Sequence, residues 1–166
     1  MQIGEVLDRV RQTLLQNKPN AQCSTRNCRV DMAELPNNRI VADVDTVFEI
    51  NGGTGKRCDR ILCYENSSQG SLVVVLIELK GGTFDSATDI KAQLQGGANF
   101  VKKFIPPGVK TDCIPILFHG RGNHRTQFRK LGRLKINFGA EKLPISTGRC
   151  DTPKNLANVL KGVNVL

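Results

Sequence analysis

Glu78 and Lys80 close the most hydrophobic run of the chain, Ser71-Leu72-Val73-Val74-Val75-Leu76-Ile77-Glu78-Leu79-Lys80-Gly81-Gly82. Leu, Val and Ile bounded by Ser68-Gln69-Gly70 and Gly81-Gly82 predict a strand buried on both faces. Residues two apart on a strand project to the same side, so this carboxylate and this amine point together. A buried charge costs several kcal/mol unless it is paired or binds a metal, so the placement asks for a partner. Asp59, in Cys58-Asp59-Arg60-Ile61-Leu62-Cys63, supplies one: residues 60–77 between it and Glu78 suit a hairpin. Two carboxylates on paired strands can hold a hard divalent cation together with water and phosphate oxygens. A lysine beside that cation can orient a water or stabilise a departing oxyanion.

The elements that would position these groups follow from the patterning. Ile3, Val6, Leu7, Val10 and Leu14 share one face of an amphipathic helix over residues 3–17, ended near Asn17-Lys18-Pro19-Asn20. Residues 21–38 are polar, with a short strand at 28–32 and a turn at Pro36-Asn37-Asn38. Strands are expected at 39–50 and 57–64, and with the hydrophobic run they form an antiparallel meander. Ser86 as N-cap, with Asp89 three residues on, opens a helix whose stripe is Ile90, Leu94, Ala98, Val101 and Ile105. Gly96 and Gly97 inside it imply either close packing on the sheet or a kink, since each costs about 1 kcal/mol relative to Ala.

A fourth strand spans 111–118, where Pro115 suggests an edge or a bulge. Residues 119–130 read as a basic loop, followed by strands at 134–138 and 142–145. A last helix is capped by Thr152-Pro153 and carries Leu156, Val159 and Leu160. Repeats and linkers are absent, so residues 1–166 read as one domain.

The order helix, three strands, helix, strand, with Asp59 on the second strand and Glu78-x-Lys80 ending the third, resembles the PD-(D/E)xK nuclease superfamily. The resemblance covers about residues 3–118. It implies an α/β, restriction-endonuclease-like core: a central mixed sheet of four or more strands flanked by helices in the order αβββαβ. It also implies Mg2+-dependent hydrolysis of phosphodiester bonds in DNA, with Mn2+ able to substitute. Asp59, Glu78 and the carbonyl of Leu79 become metal ligands, and Lys80 orients the attacking water. Gln93 becomes a contact to a phosphate or a metal-bound water. Two departures stand out: Cys58 replaces the family's Pro before the Asp, and Asn99-Phe100 stand where a Gln-x-x-x-Tyr motif would place Tyr. Members often add an acid from upstream; Glu5, Asp43, Asp45 and Glu49 compete for that place. Many compact members cut both strands as dimers, so a homodimer is a further expectation.

Composition agrees with a polyanionic partner. The chain carries 24 Lys and Arg against 15 Asp and Glu, a net charge of +9, which favours nucleic acid, DNA before RNA. Lys102, Lys103, Arg121, His124, Arg125, Arg129 and Lys130 are the expected backbone contacts. One Tyr and no Trp leave little for stacking on single-stranded bases. No apolar run reaches the ~18 residues of a membrane span, and the start lacks a signal-peptide layout. No membrane partner and a cytoplasmic location are therefore the default expectations. The six cysteines then read mainly as buried thiols, with disulfides disfavoured. Cys58 and Cys63 are expected on opposite faces of one strand and so unable to share a zinc ion. Two other readings remain open: a non-catalytic nucleic-acid-binding module of the same fold, and a small zinc-stabilised interaction protein using Cys23 and Cys28.

Overall fold

Gln2 and Glu5 start the first helix, α1 (Ile3–Leu15), the Gln2 N–H donating to Glu5 Oε2 at 3.0 Å. The computed structural model describes residues 1–82, 84, 86–122 and 124–166. After α1 come a hairpin, β1 (Ser24–Thr25) and β2 (Cys28–Arg29), then β3 (Arg39–Asp43), α2 (Val44–Phe48), β4 (Arg60–Asn66) and β5 (Ser71–Lys80). The chain continues through α3 (Ala87–Lys102), β6 (Thr111–His119), α4 (Arg125–Leu131), β7 (Lys135–Phe138), β8 (Glu141–Pro144), β9 (Ser146–Arg149) and α5 (Asn155–Gly162).

The central sheet has five strands in the order β3-β4-β5-β6-β9 and is mixed. β3, β4 and β5 form the expected antiparallel meander, whereas β6 and β9 run parallel to β5. Alternation divides the core in two. Ile40, Ala42, Ile61, Cys63, Val74 and Leu76 pack on one face beneath α1, α2 and α3. Val41, Leu62, Val73, Val75 and Ile77 pack on the other, beneath α5 and the β1–β2 hairpin. Among the described residues no helix is long and apolar enough to cross a membrane.

Several expectations are corrected. The first strand stops at Asp43, because Val44, Val47 and Phe48 recur at helical spacing and bury α2 instead. Residues 125–130 of the expected loop belong to α4, which buries Leu131 and half-buries Phe128. The last helix begins at Asn155 rather than at Thr152-Pro153, with Lys154 at its N-cap in a left-handed conformation (φ 54°). Cys58 and Cys63 share one core, because Cys58 precedes the bend that leads into β4. One disulfide is present, Cys28–Cys150, across a sequence separation of 122 residues. The zinc reading loses Cys28 to that bond, while Cys23, Cys58, Cys63 and Cys113 are buried free thiols. Pro115 lies in an inner strand, yet β9 joins β6 only from Ile116 onward, so one side of the strand is open there.

Gly96 and Gly97 serve close packing. α3 is continuous, and the segment 56–58 lies directly on it: a Cβ at Gly96 would collide with the Lys56 carbonyl, and one at Gly97 with Cys58 Sγ. Gly96→Ala is therefore expected to destabilise by about 1–3 kcal/mol, lowering the melting temperature by roughly 3–10 °C. Gly162→Ala, with nothing within 4 Å of the added carbon, is the control and should melt as the wild type does. Equal melting of both variants would remove the packing role.

Candidate active site

β4 and β5 bring Asp59 and Glu78 together. The pairing Arg60↔Ile77 places Asp59 opposite Glu78 at the end of the hairpin. Bonds to the backbone fix Asp59 there. Its N–H donates to the Ile77 carbonyl (3.0 Å), its own carbonyl accepts from Val44 N–H (3.1 Å), and Oδ2 accepts from Leu79 N–H (2.8 Å). The sheet backbone thus aims the side chain, leaving little of its position to rotamer choice.

Glu78 is 1% exposed. Oε1 receives the Lys80 Nζ at 3.1 Å, and Oε2 is buried with no hydrogen-bond partner among the described residues. Burial, and then the charge of the neighbouring Asp59, push the Glu78 carboxyl up to about 8, against the opposing pull of Lys80. A carboxyl so placed favours its protonated form until a cation arrives. Lys80 keeps 32% of its side chain exposed, so its amine reaches from the buried acid toward solvent. Lys80 and Gln93 line one cleft of about 200 Å³ with Lys56, Phe84, Ser86, Asp89 and Ile90. Ser86 caps α3 as expected, its Oγ accepting from Asp89 N–H at 3.2 Å. The Gln93 side chain makes no hydrogen bond among the described residues. Gln95 does: its amide bridges α3 to Asn137 of β7 through bonds of 2.9 and 2.7 Å.

The upstream acids are engaged elsewhere. Glu5 caps α1 near Glu65, at the far end of β4 from Asp59. Asp43 faces Arg60 at 3.3 Å, and the register Asp43↔Arg60↔Ile77 sets it on the sheet face away from Glu78. Asp45 pairs with Arg57 at 2.7 Å, and Glu49 is exposed just past α2. Among the described residues no three His, Cys, Asp or Glu side chains gather to hold a metal. Two carboxylates and the Leu79 carbonyl remain, a set suited to Mg2+, which keeps several waters when one or two carboxylates bind it. Glu78 Oε2 lies against the Asp59 carboxyl and bonds it only through a proton that the raised Glu78 acid retains; a cation between the two carboxylates would take that proton's place.

The predicted basic contacts scatter. Arg121 is exposed just beyond β6, and Arg125, Arg129 and Lys130 lie on the outer side of α4. His124 is corrected: it is only 5% exposed and stacks on Phe84 with ring centroids 4.7 Å apart, which withdraws it from a solvent-borne phosphate. Lys102 and Lys103 sit at the other end of α3 from Gln93, about 13 Å away along the helix axis. Sequence reasoning missed the places of Arg149 and Arg26 and set His119 in the basic loop, whereas it ends β6. The register Lys80↔His119↔Arg149 lines His119 and Arg149 up with the end of β5, through a β6–β9 pairing that no local pattern announces. A larger cleft of about 580 Å³ lies by the β1–β2 hairpin, but its polar groups serve the chain itself. Asp31 accepts from Ala33 and Lys154 N–H groups, and Arg39 donates to the Pro36 carbonyl. No family model, curated protein or solved structure matches this chain.

Proposed function

We propose that the protein is a metal-dependent nuclease of the PD-(D/E)xK kind, with a restriction-endonuclease-like core, that hydrolyses phosphodiester bonds in DNA. One observation carries the reading: the buried Glu78, its carboxyl pushed up to about 8, is crowded against Asp59 with Lys80 on its other side at the end of β5. Two acids crowded at one buried strand end favour either a shared proton or a shared cation, and the second option is the one a phosphodiesterase uses. The element order α1-β3-β4-β5-α3-β6 supports the same core, and the +9 charge suits a polyanionic substrate.

Asp59, Glu78 and the Leu79 carbonyl would hold Mg2+ or Mn2+. When bound, the cation neutralises charge building on the phosphate oxygens. Lys80 holds the attacking water in line with the phosphorus, its Nζ steadied by Glu78 Oε1. Leu79 N–H keeps the Asp59 carboxylate turned toward the site. Gln93 lines the cleft with Lys80, its side-chain amide able to bond a phosphate oxygen.

The test is a cleavage screen over duplex, single-stranded and branched DNA and RNA, with Mg2+, Mn2+ or chelator. DNA should be cut with either ion, and neither chelated wild type nor Asp59→Asn should cut it. Cleavage under no condition, with binding that weakens steeply as salt rises, would establish a non-catalytic binding module instead.

A further inference from the structure

β5, β6 and β9 are parallel, so their carboxyl ends lie side by side. In open α/β sheets the crevice outside such ends is where ligands bind. The register sets Lys80, His119 and Arg149 in a row across those ends. Two strand spacings separate Lys80 from Arg149, about 10 Å, or about three nucleotides of rise along one DNA strand. Arg149 is exposed, and its guanidinium has no hydrogen-bond or ion-pair partner among the described residues.

The next residue, Cys150, donates its N–H to the His119 carbonyl at 2.8 Å and is bonded through sulfur to Cys28. Cys28 belongs to the β1–β2 hairpin, whose turn rests on the catalytic strand: a Cβ at Gly81 would collide with the Asn27 carbonyl. Further bonds lock the hairpin in place. Arg29 N–H donates to Asp151 Oδ1 (3.0 Å), Asp151 N–H returns to the Arg29 carbonyl (3.0 Å), and Arg60 donates to the Ser24 carbonyl (3.0 Å). Arg26, immediately before Asn27, is thereby carried to the end of β5, exposed and without a partner among the described residues. Lys56 is paired with Asp89, Arg57 with Asp45, and Lys154 and Lys161 with Glu34, whereas Arg26 and Arg149, like exposed Arg121, Arg129 and Lys130, have no such partner among the described residues.

We propose that Arg26 and Arg149, joined through the Cys28–Cys150 disulfide, form a clamp on the phosphodiester backbone of the substrate strand flanking the cleaved bond. The clamp deepens the nuclease reading and rests on it. A guanidinium fork matches phosphate oxygens with two parallel hydrogen bonds, which suits both positions. Cross-linking the two elements fixes their separation before substrate arrives, so less ordering is lost on binding. His119 acts as a spacer between the clamp and Lys80, its Nδ1 held by the Gly120 carbonyl at 3.0 Å.

The test measures binding of short fluorescein-labelled duplex and single-stranded DNA to the full chain in chelator, over a range of salt, alongside kcat and KM in Mg2+. Arg26→Ala and Arg149→Ala should each weaken binding about three- to tenfold and lower the salt slope by about 1. KM should rise with kcat within twofold. A dithiol reductant, opening the disulfide to two thiols as it cyclises to its own disulfide, should weaken wild-type binding and leave the double variant unchanged. Wild type that binds and cuts DNA while both single variants keep its affinity and salt slope would overturn the clamp alone. Wild type that neither binds nor cuts any nucleic acid would overturn the nuclease reading and the clamp with it.

Discussion

Lys80→Ala is expected to bind DNA and leave it uncut. The amine sits 3.1 Å from Glu78 Oε1 with 32% of its side chain exposed, so truncation opens no core cavity and the fold should persist. Losing one preorganised donor at a reacting centre typically costs about 10²–10³ in kcat, and a loss at least that large is expected here. Affinity should change no more than about threefold, because non-specific binding rests on the summed phosphate contacts and Lys80 is one of 24 basic residues. Lys80→Arg should recover little: a planar guanidinium on a different stem does not place a point charge where the ammonium sat. Single-turnover cleavage, with binding measured in chelator, separates the two effects. A Lys80→Ala protein that cuts at the wild-type rate would remove Lys80 from the mechanism.

The centre of the site was legible because its signals are local. The β5 run ends abruptly in Glu78-Leu79-Lys80, the turn at residues 67–70 makes a hairpin with β4, and Ser86 and Asp89 mark the start of α3. Each follows from burial, strand parity or capping within a dozen residues. The periphery depends on contacts between distant segments. β9 is four residues, Ser146-Thr147-Gly148-Arg149, with no hydrophobic alternation; it is a strand because β6 offers it an edge and Gly148 lets Phe118 and Val159 approach. The Cys28–Cys150 bond joins residues 122 apart, beyond any spacing rule. His124 sits in a basic, polar stretch, yet Phe84, forty residues earlier, stacks on it with Phe128 at its edge. Glu5 had the right charge at the wrong end of the sheet, which strand pairing alone could reveal. Val44–Phe48 carried strand-forming residue types whose spacing was helical, and spacing won.

Glu78→Gln should abolish cleavage and, above pH 8, make the metal-free protein more stable. The Glu78 carboxyl is raised from an ordinary 4.5 to about 8, chiefly by burial and then by Asp59. Between those values the folded chain keeps a proton that the unfolded chain releases. The folded state then binds more protons, so stability falls as pH rises through that window and levels off above it. Each tenfold gain in proton affinity on folding is worth about 1.4 kcal/mol, so the burden at alkaline pH is of the order of a few kcal/mol. Glutamine has nearly the same shape and no charge to bury, so its melting temperature should fall less between pH 5 and 9 than the wild type's. Mg2+ supplies the second half of the experiment. A cation that binds the ionised carboxylate stabilises the folded wild type most at high pH, flattening its curve, by an amount set by ligand concentration over the dissociation constant. The glutamine variant should gain far less. Parallel curves for the two proteins in chelator would remove Glu78 as a buried titrating acid. Equal gains in Mg2+ would separate Glu78 from the metal, and with it the strand end from catalysis.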